Sequence, residues 1–229
     1  MRINEKGRSM IEMLGVLAII GVLSVGGIAG YSKAMAKFKA NKTIDLVSHT
    51  VANTRILFGS QRDYADLGTE WSNDVKAMAV NAKLFPDEVV RSTTSGETTT
   101  TSFENAYAGS VGLFAGHRLD TNDKKAFIVV LTGIPQSACI DLATQDWSAS
   151  SGSGFVAMQV SGDSESTQAQ GIEAEYDGTF DALVLNDCEK SSATGKSIIC
   201  ANDGEPMTTL AATKGCSGVN FNTMYFKFF

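Results

Sequence analysis

Between Met13 and Ser32 the chain carries no Asp, Glu, Lys or Arg. As a helix, that run spans about 30 Å, the thickness of a bilayer's hydrocarbon core. A helix that is apolar on every side has no face for water and must be covered by lipid or by protein. Arg2, Glu5, Lys6 and Arg8 precede the run and are net positive. Positive charge stays on the cytoplasmic side of a membrane, so the N-terminus is expected there and the rest beyond it. The apolar core is longer than that of an ordinary secretory signal. No small-residue cleavage site follows before Tyr31 and Lys33.

Glu12 stands just inside this run. A carboxylate in hydrocarbon costs a few kcal/mol even on lenient insertion scales, so it calls for a partner. Arg8 lies four residues earlier on the same helix face. The other source of a partner is a second chain.

The sequence "G-RSMIE" followed by "MLGVLAIIGVL" resembles the N-terminus of type IV pilins and of the pseudopilins of type II secretion. In that family a short basic leader ends in Gly, the chain is cut after it, and a Glu stands fifth in the mature chain ahead of a long apolar helix. Gly7 matches the last leader residue, Arg8 the new N-terminus and Glu12 the fifth position. Gly21 and Tyr31 match a glycine and a tyrosine that the family often carries farther along. Two positions differ: Arg8 stands where the family usually has Phe or Met, and Ala29 where many members have proline.

The resemblance implies cleavage between Gly7 and Arg8 by a prepilin peptidase, methylation of the new α-amine, and pairing of Glu12 with the amine of a neighbouring subunit during assembly. It implies a homo-oligomeric helical filament built by an inner-membrane assembly machinery. The subunit would wait in the bacterial inner membrane and then enter an extracellular pilus. The Arg8 guanidinium is expected to add a charge-assisted contact to a neighbour's Glu12.

Beyond Tyr31 the helix is expected to run to about Phe58, because Ala40, Ile44, Val47, Val51, Thr54 and Phe58 recur at steps of three and four. Gly59 and Ser60 end it. The expected organisation is a leader over 1–7, a transmembrane and polymerising half-helix over 8–32, an amphipathic half-helix over 33–60 and a globular head over 61–229. Ser72 or Asn73 is expected to cap a short helix ending near Leu84. "RSTTSGETTTTS" reads as an exposed loop or an edge hairpin. Ala126 to Thr132, "GFVAMQVSG", "FDALVLND" and "NTMYFKFF" read as strands, and "IPQSACIDLATQDW" as a helix with Pro135 in its first turn. In the last strand Met224, Phe226 and Phe228 share one face, Tyr225, Lys227 and Phe229 the other. Strands gathered after a long helix indicate an α+β fold with an antiparallel sheet.

Cys139, Cys188, Cys200 and Cys216 form no CxxC pair, and the chain has only two histidines, His49 and His117. Four cysteines in a translocated domain point to two disulfides rather than to zinc. The C-terminal half resembles type IVb pilins, whose disulfide joins a helix to the segment before the last strand. The resemblance therefore implies Cys139 with Cys216, leaving Cys188 with Cys200. The pairing Cys139–Cys188 with Cys200–Cys216 stays open. The short leader is closer to the type IVa subgroup.

The net charge of −6 argues against a nucleic-acid partner. "SGSGF" lacks the third glycine of a dinucleotide loop, "HRLDTND" has no nucleophile beside it, and "ANDGEP" lacks the spacing of a calcium loop. No cofactor and no enzymatic activity are expected. The leading expectation is a pilus structural subunit. The alternatives are a minor pilin, a pseudopilin, or a membrane-tethered extracytoplasmic enzyme or binding protein.

Overall fold

The computed structural model describes residues 10–95, 98–148, 153–162, 174–185, 187–219 and 221–229. The chain divides at Lys39/Ala40 into two compact units. Helix α1 (Met10–Phe58) runs through 49 residues. In the first unit no described side chain of α1 is buried. Leu14, Val22, Leu23 and Val25 are each more than half exposed.

The second unit starts where α1 acquires a buried stripe. Ala40, Thr43, Val47, Thr50, Val51, Thr54 and Phe58 are buried at helical spacing. The threonines place hydroxyls in an apolar seam, and that of Thr50 donates to the Leu46 carbonyl one turn back at 2.8 Å. Helix α2 (Asn73–Asn81) begins at Ser72, whose side chain accepts from the Val75 amide. Helix α3 (Gln136–Ala143) is preceded by Pro135 in the cap position, one residue earlier than the sequence suggested.

The strands form two sheets. β1 (Val90–Ser95) and β2 (Thr98–Phe103) make an antiparallel hairpin of their own. The second sheet contains β3 (Val111–Gly116), β4 (Ala126–Ile134), β5 (Phe155–Gly162), β6 (Ser191–Ala193), β7 (Lys196–Cys200) and β8 (Asn222–Phe228). Its spatial order is β3-β4-β8-β5-β7-β6, and every pairing is antiparallel. The last strand, β8, therefore lies between β4 and β5. Val129 and Met158 both face Phe226 across it.

Both faces of this sheet are covered. On one, Val129, Leu131, Met158, Met224 and Phe226 pack with Leu46, Val47, Val51 and Phe58 of α1. On the other, Phe114, Ile128, Val130 and Val156 pack with Phe180, Cys188 and Cys200. That is why β3, β4 and β5 read as apolar runs rather than as alternating strands. A bulge interrupts the β4–β8 ladder between Leu131 and Ile134. Gly133 takes φ 66° there, and a Cβ on the facing Gly109 would lie 1.8 Å from the Thr132 carbonyl oxygen.

One element differs from its sequence reading. The described part of "FDALVLND", residues 180–185 and 187, is not a strand: residues Gly178–Asp181 form a helical turn, α4, and beyond it the Leu185 amide donates to the Arg118 carbonyl. The Asp177 carboxylate accepts from the Thr179 and Phe180 amides, which starts the turn and commits the backbone to helical dihedrals. Strands β3 and β7 and helix α5 (Thr209–Gly215) were not singled out in advance. α5 is opened by Thr208, which accepts from the Ala211 amide.

Candidate functional site

Two features of the described chain have no ordinary globular explanation: the uncovered apolar length of α1, and a pair of opposite charges sealed inside the head.

The first belongs to the N-terminal unit. Among its exposed large apolar side chains are Met13, Leu17, Ile19, Ile20 and Ile28. The helix is long and apolar enough to cross a membrane. Glu12 lies in its first turn and is exposed. That placement near the positive end of the helix dipole favours a carboxylate. Gly21 lies in the same helix, and a Cβ there would meet nothing within 4 Å. Gly7 and Arg8 lie outside the described residues.

The four cysteines belong to the head, where they form two disulfides, Cys139–Cys216 and Cys188–Cys200. The first ties α3 to the residue that ends α5, across a separation of 77 residues. The second closes 12 residues, from the covering segment to the end of β7. Cys139 and Cys216 lie in the core on the α1 side of the sheet, and Cys188 and Cys200 in the core on the other side. The first bridge therefore fastens two helical segments to each other, and the second fastens the covering segment to the sheet. On a chain-entropy view the long loop is worth about 4 kcal/mol and the short one about 3 kcal/mol.

The sealed charges are Lys227 and Asp181. The alternation in β8 turns Lys227 to the same face as Tyr225, under α4. Its ammonium donates to the carbonyls of Phe180 at 3.3 Å, Asp181 at 2.6 Å and Leu183 at 3.0 Å. It lies 3.0 Å from the Asp181 carboxylate, and neither side chain reaches solvent. Asp181 also accepts from the His117 backbone amide at 2.7 Å and from the Tyr176 hydroxyl at 2.5 Å. The imidazole Nδ1 of His117 lies 2.5 Å from Asp181 Oδ2, and the Lys124 ammonium lies 3.8 Å from the same atom.

Burial works against the Asp181 carboxylate, yet Lys227 and the hydrogen bonds from Tyr176 and His117 outweigh it and hold its pKa below the ordinary aspartate range. Burial likewise pulls Lys227 below the ordinary lysine range, with Asp181 opposing. Tyr176 is pushed far above the usual tyrosine value by its own burial and by its bond to Asp181. The Lys227 ammonium is spent on three backbone carbonyls and the Asp181 carboxylate, all inside the head. The constellation is a polar bolt between the middle strand and the segment that covers it.

The disulfide pairs implied by the resemblance are the ones present, whereas the bolt was not among the sequence expectations. Its one visible signal was a lysine set between aromatics in an alternating strand. Its partners are hidden in the sequence because Asp181 sits in a stretch with the composition of a strand and His117 lies far from it along the chain. Asp123 accepts from the Arg118 and Leu119 amides, which shapes the turn that carries His117. Among the described residues no group of three or more His, Cys, Asp or Glu side chains is placed to hold a metal.

Comparison with known proteins adds three results. A family model described as PilS N terminal matches residues 37–194. No curated protein matches the chain. Among solved structures, TcpA, a type IV pilin from Vibrio cholerae El Tor biotype, is 19% identical with a TM-score of 0.48, over 84% of this chain and 98% of that one. A type IVb pilin from Salmonella typhi is 16% identical with a TM-score of 0.42, over 78% of this chain and 92% of that one.

Proposed function

The chain belongs to the PilS N-terminal family of type IV pilins, structural subunits rather than enzymes, and from that premise we propose that it is a pilus subunit which polymerises through the apolar half of α1. The observation that carries the reading is the N-terminal unit: a helix of bilayer length with no described side chain buried. Such a surface needs cover, from lipid before assembly and from other subunits afterwards.

The sequence of events follows from the residues. Residues 1–7 act as a leader, removed after Gly7 by a prepilin peptidase in the membrane. Residues 8–32 then anchor the subunit in the inner membrane with the head beyond it, and residues 33–60 lead into the head at 61–229. Assembly machinery lifts the subunit into a growing helical filament outside the cell. Glu12 supplies the register. Unpaired in an apolar bundle it is costly, and pairing with the α-amine of a neighbour's Arg8 removes that cost in one axial position. Gly21 lets a neighbouring helix approach closely.

Intact mass and N-terminal sequencing of material sheared from the cell surface test the reading. A processed, disulfide-bonded chain starting at Arg8 is expected as the main component. A chain still starting at Met1 and confined to membranes would sink it. A processed chain present only in traces would mark a minor subunit.

A further inference from the structure

We propose that β1 of the hairpin pairs edge to edge with β6 of a second copy of this chain, an inference that rests on the polymer reading above.

The buried side chains described in the hairpin lie at its base. Phe103 is buried and Val90 half-buried, while Arg91, Ser92, Thr93 and Thr94 are all exposed. Among the described residues no third strand joins it. A two-stranded hairpin without an apolar face is marginal in water, so a third strand would stabilise it.

The ladder tells which groups look outward. The Glu104 amide donates to the Val89 carbonyl, so the hydrogen-bonded pairs fall at Val89/Glu104, Arg91/Ser102 and Thr93/Thr100. Ser92 therefore turns its N–H and C=O away from β2. Strand β6 is built in the same way. Its hairpin with β7 closes on Ala193/Lys196 around a two-residue turn, which makes that pair the hydrogen-bonded one and turns the backbone of Ser192 outward.

These edges lack what normally blunts an edge strand. Neither Ser92–Thr94 nor Ser191–Ala193 contains Pro, Lys or an inward charge. All three side chains of β6 are exposed. The opposite edge of the six-stranded sheet is occupied, since β3 is buried throughout and its Ala115 amide donates to the Gly68 carbonyl. Among the described residues, Ser92 and Ser192 thus turn their backbones outward on two edges of different identity. Neighbours in a helical filament are related by rotation with translation, so the contact between them must join two different patches. A hairpin edge meeting a sheet edge meets that requirement, whereas β1 meeting β1 would close a dimer.

The test uses filaments of the full-length chain. Ser92→Pro removes an outward N–H and leaves every β1–β2 hydrogen bond in place. The expected result is a filament that releases several-fold more subunit at a given urea concentration, from monomers whose thermal midpoint is unchanged. In parallel, the double variant Ser92→Cys/Ser192→Cys should give a ladder of disulfide-linked multimers on a non-reducing gel, with both native bridges intact, and each single variant should not. Ser92→Pro filaments as resistant as wild type overturn the proposal, as does a cross-link from Ser92→Cys alone, which would mean hairpin meeting hairpin. Either result leaves the polymer reading standing. A wild-type chain that forms no filaments removes both.

Discussion

Lys227 Nζ stands 3.0 Å from Asp181 Oδ1, and no part of either side chain reaches water. Replacing one partner leaves the other charged and sealed, which costs about 3–5 kcal/mol. Lys227→Met and Asp181→Asn are each expected to lower the unfolding free energy of the detergent-solubilised protein by that measure, read from urea melts. Lys227→Met combined with Asp181→Leu should cost clearly less than the two singles added together, by at least about 1 kcal/mol. Additive losses would mean that the two charges do not stabilise one another.

The same carboxylate sets an acid limit. Asp181, Asp177 and Asp123 all titrate below the ordinary range in the folded chain. A depressed folded pKa gives stability that is present in full above the unfolded value, about 3.9, and is lost as pH falls through the folded one. Unfolding free energy should hold steady from neutral pH down to about 5 and then drop. Asp181→Asn should flatten that drop. A pH series of urea melts on both proteins reads this directly.

The two bridges should differ in worth. Cys139→Ser/Cys216→Ser is expected to cost about 4 kcal/mol, and Cys188→Ser/Cys200→Ser about 1 kcal/mol less, because the first closes the longer loop. Non-reducing peptide mapping of the wild type should recover the two pairs seen here. A peptide joining Cys200 to Cys216 would contradict the structure.

Glu12→Gln keeps the size of the side chain and removes its charge. The variant should still be processed and should accumulate in membranes, while surface filaments fall to a small fraction of wild type. Equal filament yield would show that register does not depend on a charge at Glu12.

Gly109→Ala brings a methyl group against the Thr132 carbonyl, so the bulge region must move. A loss of about 1–3 kcal/mol is expected from thermal or urea melts. Gly21→Ala, in open space in the isolated chain, should leave the monomer's stability unchanged.

The parts of this molecule that were legible beforehand are those where one local rule decides. Helix α1 could be read to Phe58 because burial, spacing and the following glycine agree. The Ser72 cap, strands β4, β5 and β8 and the α3 region followed from short-range pattern. The hairpin β1–β2 was one of two readings that a polar Ser/Thr run allowed. What could not be read depended on distant partners. Residues 180–187 have the composition of a strand, and only the Asp177 cap and the buried Asp181 show why Gly178–Asp181 turn instead. Strand β7 is short and half-polar, and only its ladder with β5 identifies it. The bolt joins β8, α4 and the loop at His117, three segments far apart in sequence, and no periodicity carries such information.

The position of β8 has one more consequence. β4 and β5 touch β8 and not each other, so the sheet has a gap at its middle until residues 222–228 have arrived. A ribosome makes those residues after both of the strands that they join. While residues 222–228 are still to come, the head therefore lacks its keystone. Closure must come as a late, long-range event, slow by the measure of loop entropy. Until then β4 and β5 are open to mispairing with each other or with a neighbour. The order of synthesis thus sets an order of folding, in which β4 and β5 wait for the strand that separates them.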